Sequence, residues 1–143
     1  MSLPWKSVWV TGASSGIGRE LALQLVRKNV KVFASARRAD KLASLRSIND
    51  NIHPIDLDVS QIEDVKRKSK FFLEDGNLPD LIILNAGVSN LFTLDKIDER
   101  YQDIVSSMDI NYIGVINCLS VLLPSMIERK KGHIAIMSSV AGY

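Results

Sequence analysis

Short apolar runs alternate with longer stretches of helical period along the chain. Strands are predicted over Ser7–Thr11, Lys31–Ala36, Ile52–Leu57, Leu81–Leu84 and His133–Met137. The fourth, Leu81-Ile-Ile-Leu84, is apolar throughout, as a strand buried on both faces of a parallel sheet should be. After the first strand, Ile17, Leu21, Ala22, Leu25 and Val26 fall on one helical face near the 3.6-residue period. A short helix is predicted over Ala39–Arg46. A third helix places Ile62, Val65, Phe72 and Leu73 together, opened by Ser60 with Glu63 as a capping box and closed by Gly76. Its opposite face carries Lys66-Arg-Lys68 and Lys70, which suit a solvated surface. A long helix is predicted over Glu99–Arg129, kinked at Pro124, which has no N–H for the carbonyl of Ser120.

Strands alternating with helices imply βαβ units around a parallel sheet, here five strands in doubly wound order. The long helix is apolar nearly all round, through Ile110, Ile113, Val115, Ile116, Leu119, Val121, Leu122 and Leu123. A sheet covers one side of such a helix, so its other faces need cover too. Homo-oligomerisation through about Asn111 to Arg129 is therefore expected. Ile110 to Ile127 lacks formal charge and approaches the length of a membrane span. It also holds Asn111, Asn117, Ser120, Pro124 and Ser125, which favours a buried helix over a membrane one.

Composition narrows the classes. The 143 residues are 46% hydrophobic and 24% charged, an ordinary globular balance that excludes disordered and collagen-like chains. Net charge is +2, which gives no reason to expect nucleic acid or an anionic membrane as partner. One cysteine, Cys118, cannot close an internal disulfide, and with no signal peptide evident a cytoplasmic setting is expected. His53 and His133 stand at strand starts and no metal site is expected. Trp5, Trp9, Met108, Met126 and Met137 are expected in a core or interface.

The candidate chemistry starts at the turn Gly12-Ala-Ser-Ser-Gly16-Ile-Gly18. Strand, glycine-rich turn and helix together make a phosphate-binding arrangement, because glycines let backbone approach the anion and the helix N-terminus offers free N–H groups. The spacing G-x-x-x-G-x-G is neither the common dinucleotide fingerprint nor a P-loop. Alone, the turn could equally be a tight strand–helix connection.

Thr11-Gly-Ala-Ser-Ser-Gly-Ile-Gly18 is similar to the nucleotide-binding segment of the short-chain dehydrogenase/reductase family. Asn85-Ala-Gly87, Asn111-Tyr-Ile-Gly114 and Ser138-Ser-Val-Ala-Gly142 also resemble that family's motifs, in the right order and on the expected elements. The resemblance covers essentially the whole chain. It implies a single Rossmann-type dinucleotide-binding domain over residues 1–143, lacking the family's C-terminal strands and helices. It implies a nicotinamide cofactor held by Gly12, Ser14, Ser15, Gly16, Ile17 and Gly18, with Asp58 and Val59 at the adenine and Asn85, Ala86 and Gly87 beside the ribose. An acidic residue ending strand two would select NAD(H). This chain has Ala36, Arg37 and Arg38 there, so NADP(H) is expected, with Arg37 pairing a phosphate. Ser15 departs from the second basic residue of many NADP-preferring members, and Leu84 from a common Asn.

The family moves a hydride between nicotinamide and a carbonyl or alcohol carbon while a Tyr, aided by a Lys four residues on, handles the proton. Ser139 matches the catalytic Ser and Asn111 the catalytic Asn. No Tyr here has Lys four places later: Tyr101 leads to Val105 and Tyr112 to Ile116. The expectation is an NADP(H)-dependent oxidoreductase, acting on a small carbonyl or alcohol, whose 143-residue stretch is inactive alone. The alternatives are a naturally short, non-catalytic dinucleotide-binding or dimerisation module, or a methyltransferase on a similar sheet. The substrate is not legible, and the loop from Val88 to Leu91 is too short to identify one.

Overall fold

The computed structural model describes residues 3–74, 76–89 and 97–139. Its elements are β1 (Ser7–Thr11), α1 (Gly16–Arg27), β2 (Lys31–Ala36), α2 (Ala39–Arg46), β3 (Ile52–Asp56), α3 (Ile62–Glu74), β4 (Leu81–Leu84), α4 (Tyr101–Met108), a π turn (Asp109–Ile113), α5 (Gly114–Glu128) and β5 (His133–Ile136). The described strands form one parallel sheet in the order β3-β2-β1-β4-β5. The order reverses between β1 and β4, and a crevice opens there beyond the strands' C-terminal ends.

Strand side chains alternate between two cores. On one face Val8, Val10, Val32, Ala34, Ile52, Leu81 and Ile83 pack under α1 and α2, through Ala22, Leu25, Val26, Leu42 and Leu45. On the other, Trp9, Phe33, Ile55, Ile82 and Leu84 pack under α3 and α5, through Val65, Phe72, Cys118, Leu122 and Met126. Trp9 is wholly buried and donates its indole N–H to Ser35 Oγ at 3.0 Å. This two-sided cover is why β4 carries no polar residue.

Several expectations change in detail. Strands β3 and β5 each end one residue early. On α1, Ile17 is exposed and Leu23 joins the buried face. On α3, Leu73 is exposed, and the buried face runs through Val65, Ser69 and Phe72. The Ser60–Glu63 capping box does not form. Asp64 instead reaches back to the Asp58 N–H at 2.9 Å, Ser60 donates to Asp58, and Glu63 pairs with Lys66. The helix start is thus held by the loop at Asp58 rather than by a reciprocal Ser60–Glu63 pair. Gly76 does take the left-handed backbone expected beyond a helix end, with φ 65°.

The long helix is three pieces, not one. It begins at Tyr101, loosens into the π turn and continues as α5, which Pro124 does not end. One side of α5 is buried: Cys118, Leu122 and Met126 pack on the sheet and α3. Ile116 and Ile127 of α5, with Tyr112 and Ile113 of the π turn before it, are exposed. By length and composition Tyr101–Glu128 could cross a membrane; its buried stripe is packed against the sheet. Of the five residues expected in a core or interface, Trp9 and Met126 are core, Trp5 is half-buried, and Met108 and Met137 are exposed. Burial pushes the Cys118 thiol up to about 12, which keeps it protonated and inert near neutral pH.

Asp80 ties the sheet's lower edge. Its Oδ2 accepts the Lys6 and Ser7 N–H groups at 2.9 and 3.3 Å, and its carbonyl accepts the His133 N–H at 2.9 Å. Lys131 Nζ lies 3.2 Å from Oδ1. Burial raises its carboxyl pKa, but the Lys6 N–H, Lys131 and the Ser7 N–H outweigh that and hold it below the ordinary value. A depressed folded-state pKa contributes stability that is complete above the unfolded value, about 3.9, and is lost as pH falls through the folded one. Asp80→Asn should therefore lower stability by about 1–3 kcal/mol at pH 7 and flatten its decline in acid. Urea unfolding of both proteins at pH 7 and pH 3 measures this; an equal acid dependence in the variant would refute it.

Candidate functional site

Beyond the C-terminal ends of the strands lies a cavity of about 590 Å³, within the roughly 300–1,000 Å³ usual for cofactor and small-molecule sites. The turn after β1 supplies Gly12, Ser14, Ser15, Gly16 and Ile17. The end of β2 supplies Ser35 to Arg38, the segment after β3 Leu57 to Val59, and the segment after β4 Asn85 to Val88. Ile110 of the π turn completes the lining.

The floor is built by close backbone approach. Gly12 has φ 69°, and a Cβ there would sit 2.7 Å from Ala86 Cα. Thr11 Oγ1 accepts the N–H groups of both Asn85 and Ala86 at 3.0 Å, and Asn85 Nδ2 donates to the Thr11 carbonyl at 3.0 Å. The ends of β1 and β4 are thereby locked side by side. Gly18 is buried and is not among the residues that line the cavity. A Cβ on it would collide with Asn85 Nδ2 and the Gly12 carbonyl, so it is the packing glycine under the turn.

The turn itself faces outward. Gly16 has φ 55° and open space where a Cβ would be. Helix α1 has no acidic residue in its first turn, and the Ser15 side chain caps none of its N–H groups. The helix end thus presents unpaired donors and partial positive charge to the cavity. Arg38 crosses to this turn, donating to Ser14 Oγ at 2.9 Å and Ser15 Oγ at 2.8 Å. Arg37 lines the cavity beside it. Two guanidinium groups, two hydroxyls and a helix N-terminus make an anion-binding set.

Across the cavity, Asp58 Oδ1 accepts the Ser60 N–H at 3.0 Å and the Ser60 hydroxyl at 2.7 Å. Asp64 holds the Asp58 N–H while pairing with Arg67. Burial raises the Asp64 pKa, but the Asp58 N–H and Arg67 lower it further, so the carboxylate stays ionised in its supporting place.

A family model described as short chain dehydrogenase matches residues 6–143. The chain belongs to the short chain dehydrogenase family. It is 39% identical, over 99% of its length and 56% of the relative's, to an uncharacterized oxidoreductase of Myxococcus xanthus. It is 36% identical to the NADPH-dependent pterin aldehyde reductase of Arabidopsis thaliana, covering 94% of this chain and 56% of that one. Among solved structures, serine dehydrogenase complexed with NADP+ superposes with a TM-score of 0.88 at 28% identity, covering 95% of this chain and 55% of that one. The chain spans about half the length of the curated relatives it matches.

Of the residues expected at a short chain dehydrogenase site, the cavity gathers Gly12, Ser14, Ser15, Gly16, Ile17, Arg37, Arg38, Asp58, Val59, Asn85, Ala86 and Gly87. Asn111 and Ser139 do not line it. Asn111 sits in the π turn, a form that recurs at functional sites. It holds Val88 by both amide atoms, accepting the Val88 N–H at 2.8 Å and donating to the Val88 carbonyl at 2.9 Å. Ser139 is exposed beyond β5. Val140 to Gly142 of its motif, and Asn90 and Leu91 of the loop after β4, lie outside the described residues. Sequence reading missed Ser35, Leu57, Val88 and Ile110 as lining. The first three stand at or just past strand C-terminal ends, where any parallel sheet of this order collects its ligand contacts.

Proposed function

We propose that this chain is the cofactor-binding part of an NADP(H)-dependent oxidoreductase that interconverts a small carbonyl and an alcohol. The observation that carries this reading is Arg38, drawn onto the glycine-rich turn by Ser14 and Ser15, with Arg37 beside it and Ala36 where an NAD-selective chain has a carboxylate. A 2′-phosphate suits two guanidinium groups; a bare ribose leaves them unused. The NADPH dependence of the Arabidopsis relative and the NADP+ of the serine dehydrogenase complex support the same reading.

The residues fit the group they would hold. The outward Gly16, the uncapped start of α1 and the serine-held Arg38 suit a pyrophosphate and a further phosphate. Asp58 would offer a carboxylate to an adenine amino group, and the backbone of Asn85 to Gly87 would adjoin a ribose. When bound, the nicotinamide gives or takes the hydride. Ser139 is the proposed donor to the substrate oxygen, and Asn111 fixes Val88 at the cavity rim. The proton is the task of a Tyr-x-x-x-Lys pair that these 143 residues do not contain. The exposed Tyr112, Ile113, Ile116 and Ile127 support self-association through α5, which sedimentation would show as a dimer or larger; a lone monomer would contradict it.

The test is a titration of the 143-residue chain with NADPH, followed by nicotinamide fluorescence, with S-adenosylmethionine as competitor and a carbonyl panel for turnover. NADPH should bind, S-adenosylmethionine should not displace it, and no turnover should follow. Displacement by S-adenosylmethionine, or brisk turnover, would overturn the reading.

A further inference from the structure

Asn117 lies on α5, does not itself line the cavity, and is buried. Its Nδ2 donates to the Val59 carbonyl at 2.9 Å, across 58 residues of sequence. One turn earlier, Gly114 lets α5 close on the same residue: a Cβ there would sit 2.7 Å from Val59 Cγ2. Val59 and Asp58 together form the cavity wall opposite the glycine-rich turn.

The other holds on this wall come from the end of β2 and from the start of α3. Leu57 donates its N–H to the Ala36 carbonyl at 3.0 Å, Asp64 takes the Asp58 N–H, and Ser60 takes Asp58 Oδ1. They fix the approach to the wall and the direction of its carboxylate. Asn117 fixes its far end, on the carbonyl side of Val59. An amide bonded to a buried carbonyl is a strong restraint, because its loss leaves the carbonyl without the partner it had and nearby water is excluded.

We infer that Asn117 is a positioning residue for the adenine end of the cofactor, acting through Val59, with Gly114 making room for the contact. The inference rests on the proposed cofactor reading and extends it to a helix that touches no part of the cavity through Asn117 itself. A purely structural Asn117 would change the stability of the chain and leave the affinity of the folded protein alone. A positioning Asn117 changes affinity, and does so at the adenine half.

The experiment is calorimetric titration of the chain with 2′,5′-ADP, for the parent, Asn117→Leu and Leu122→Ala. Leu122 is fully buried on the same helix, so its truncation reports the effect of destabilising α5 while the Asn117 amide keeps its bond to the Val59 carbonyl. Asn117→Leu should weaken 2′,5′-ADP about tenfold, the loss of one well-made hydrogen bond, while Leu122→Ala leaves affinity within about twofold. If Asn117→Leu does not fold, Asn117→Ser gives the same reading, since its hydroxyl is too short to reach Val59. Undiminished affinity in the Asn117 variants, or an equal loss in Leu122→Ala, would overturn the inference. Failure of the parent to bind 2′,5′-ADP would overturn the cofactor reading beneath it.

Discussion

Gly12→Val is expected to lower the unfolding free energy by roughly 2–5 kcal/mol and to abolish cofactor binding. Two effects add. At φ 69° a side chain strains the backbone, by roughly 1–2 kcal/mol for an L-residue, and β-branching sharpens that. The new Cβ also lies 2.7 Å from Ala86 Cα and 3.0 Å from Ala86 N. These are backbone atoms tied to Thr11, so they cannot move aside as a flexible side chain would. Overpacking of that kind costs roughly 1–3 kcal/mol. The turn that relaxes is the same one that presents the uncapped N–H groups of α1. Urea unfolding and NADPH titration check both parts. Gly16→Ala is the contrast: its φ is also positive, but open space surrounds the new methyl, so binding should suffer more than packing. Parent-like stability in Gly12→Val would mean that the β1–β4 junction is looser than its hydrogen bonds imply.

The second large effect is on cofactor choice. Arg37→Ala with Arg38→Ala should weaken NADPH by about a hundredfold or more, while NADH changes by no more than about threefold. Each charge-assisted bond to a phosphate contributes roughly 1.5–3 kcal/mol, and about 1.4 kcal/mol is a tenfold change. Arg38 donates to Ser14 and Ser15 through Nε and Nη2, so its planar fork is already oriented and little ordering is left for the ligand to impose. Ala36→Asp with Arg37→Ile goes further by adding a carboxylate that repels the phosphate and accepts from the ribose hydroxyls. That variant should prefer NADH. Parallel titrations with both reduced cofactors decide it, and an unchanged ratio in either variant would remove the arginines from the phosphate site.

How much of this was legible in the sequence depended on the range of the interaction. Strands and helices were readable from period and apolar runs: Leu81 to Leu84 is the run typical of a strand buried on both faces, and Ala39–Arg46 emerged with the limits expected. The glycine-rich turn was readable as a motif, but the division of labour among its glycines was not. Gly16 needs its positive φ, whereas Gly18 is set by what lies beneath it, the Gly12 carbonyl and Asn85, and Asn85 comes from just past a strand far along the chain. The π turn at Asn111 was invisible because its residues fit an α period as well. The use of Asp64 in place of Glu63 was missed because the capping rule looks three residues on from Ser60, whereas Asp64 reaches six residues back to the Asp58 N–H. Asn117 drew notice only as a polar residue in an apolar helix; its partner Val59 sits in another unit of the fold.

The crevice where the strand order reverses is proposed to hold a dinucleotide, with its extra phosphate between the arginines and the serines of the first turn. A crystal structure of the chain with NADP+ tests it most directly. The 2′-phosphate should lie within hydrogen-bonding distance of Arg38 and Arg37, and the pyrophosphate against the N–H groups that open α1. A crevice left empty under saturating NADP+, or a cofactor seated with its 2′-phosphate away from both arginines, would contradict it.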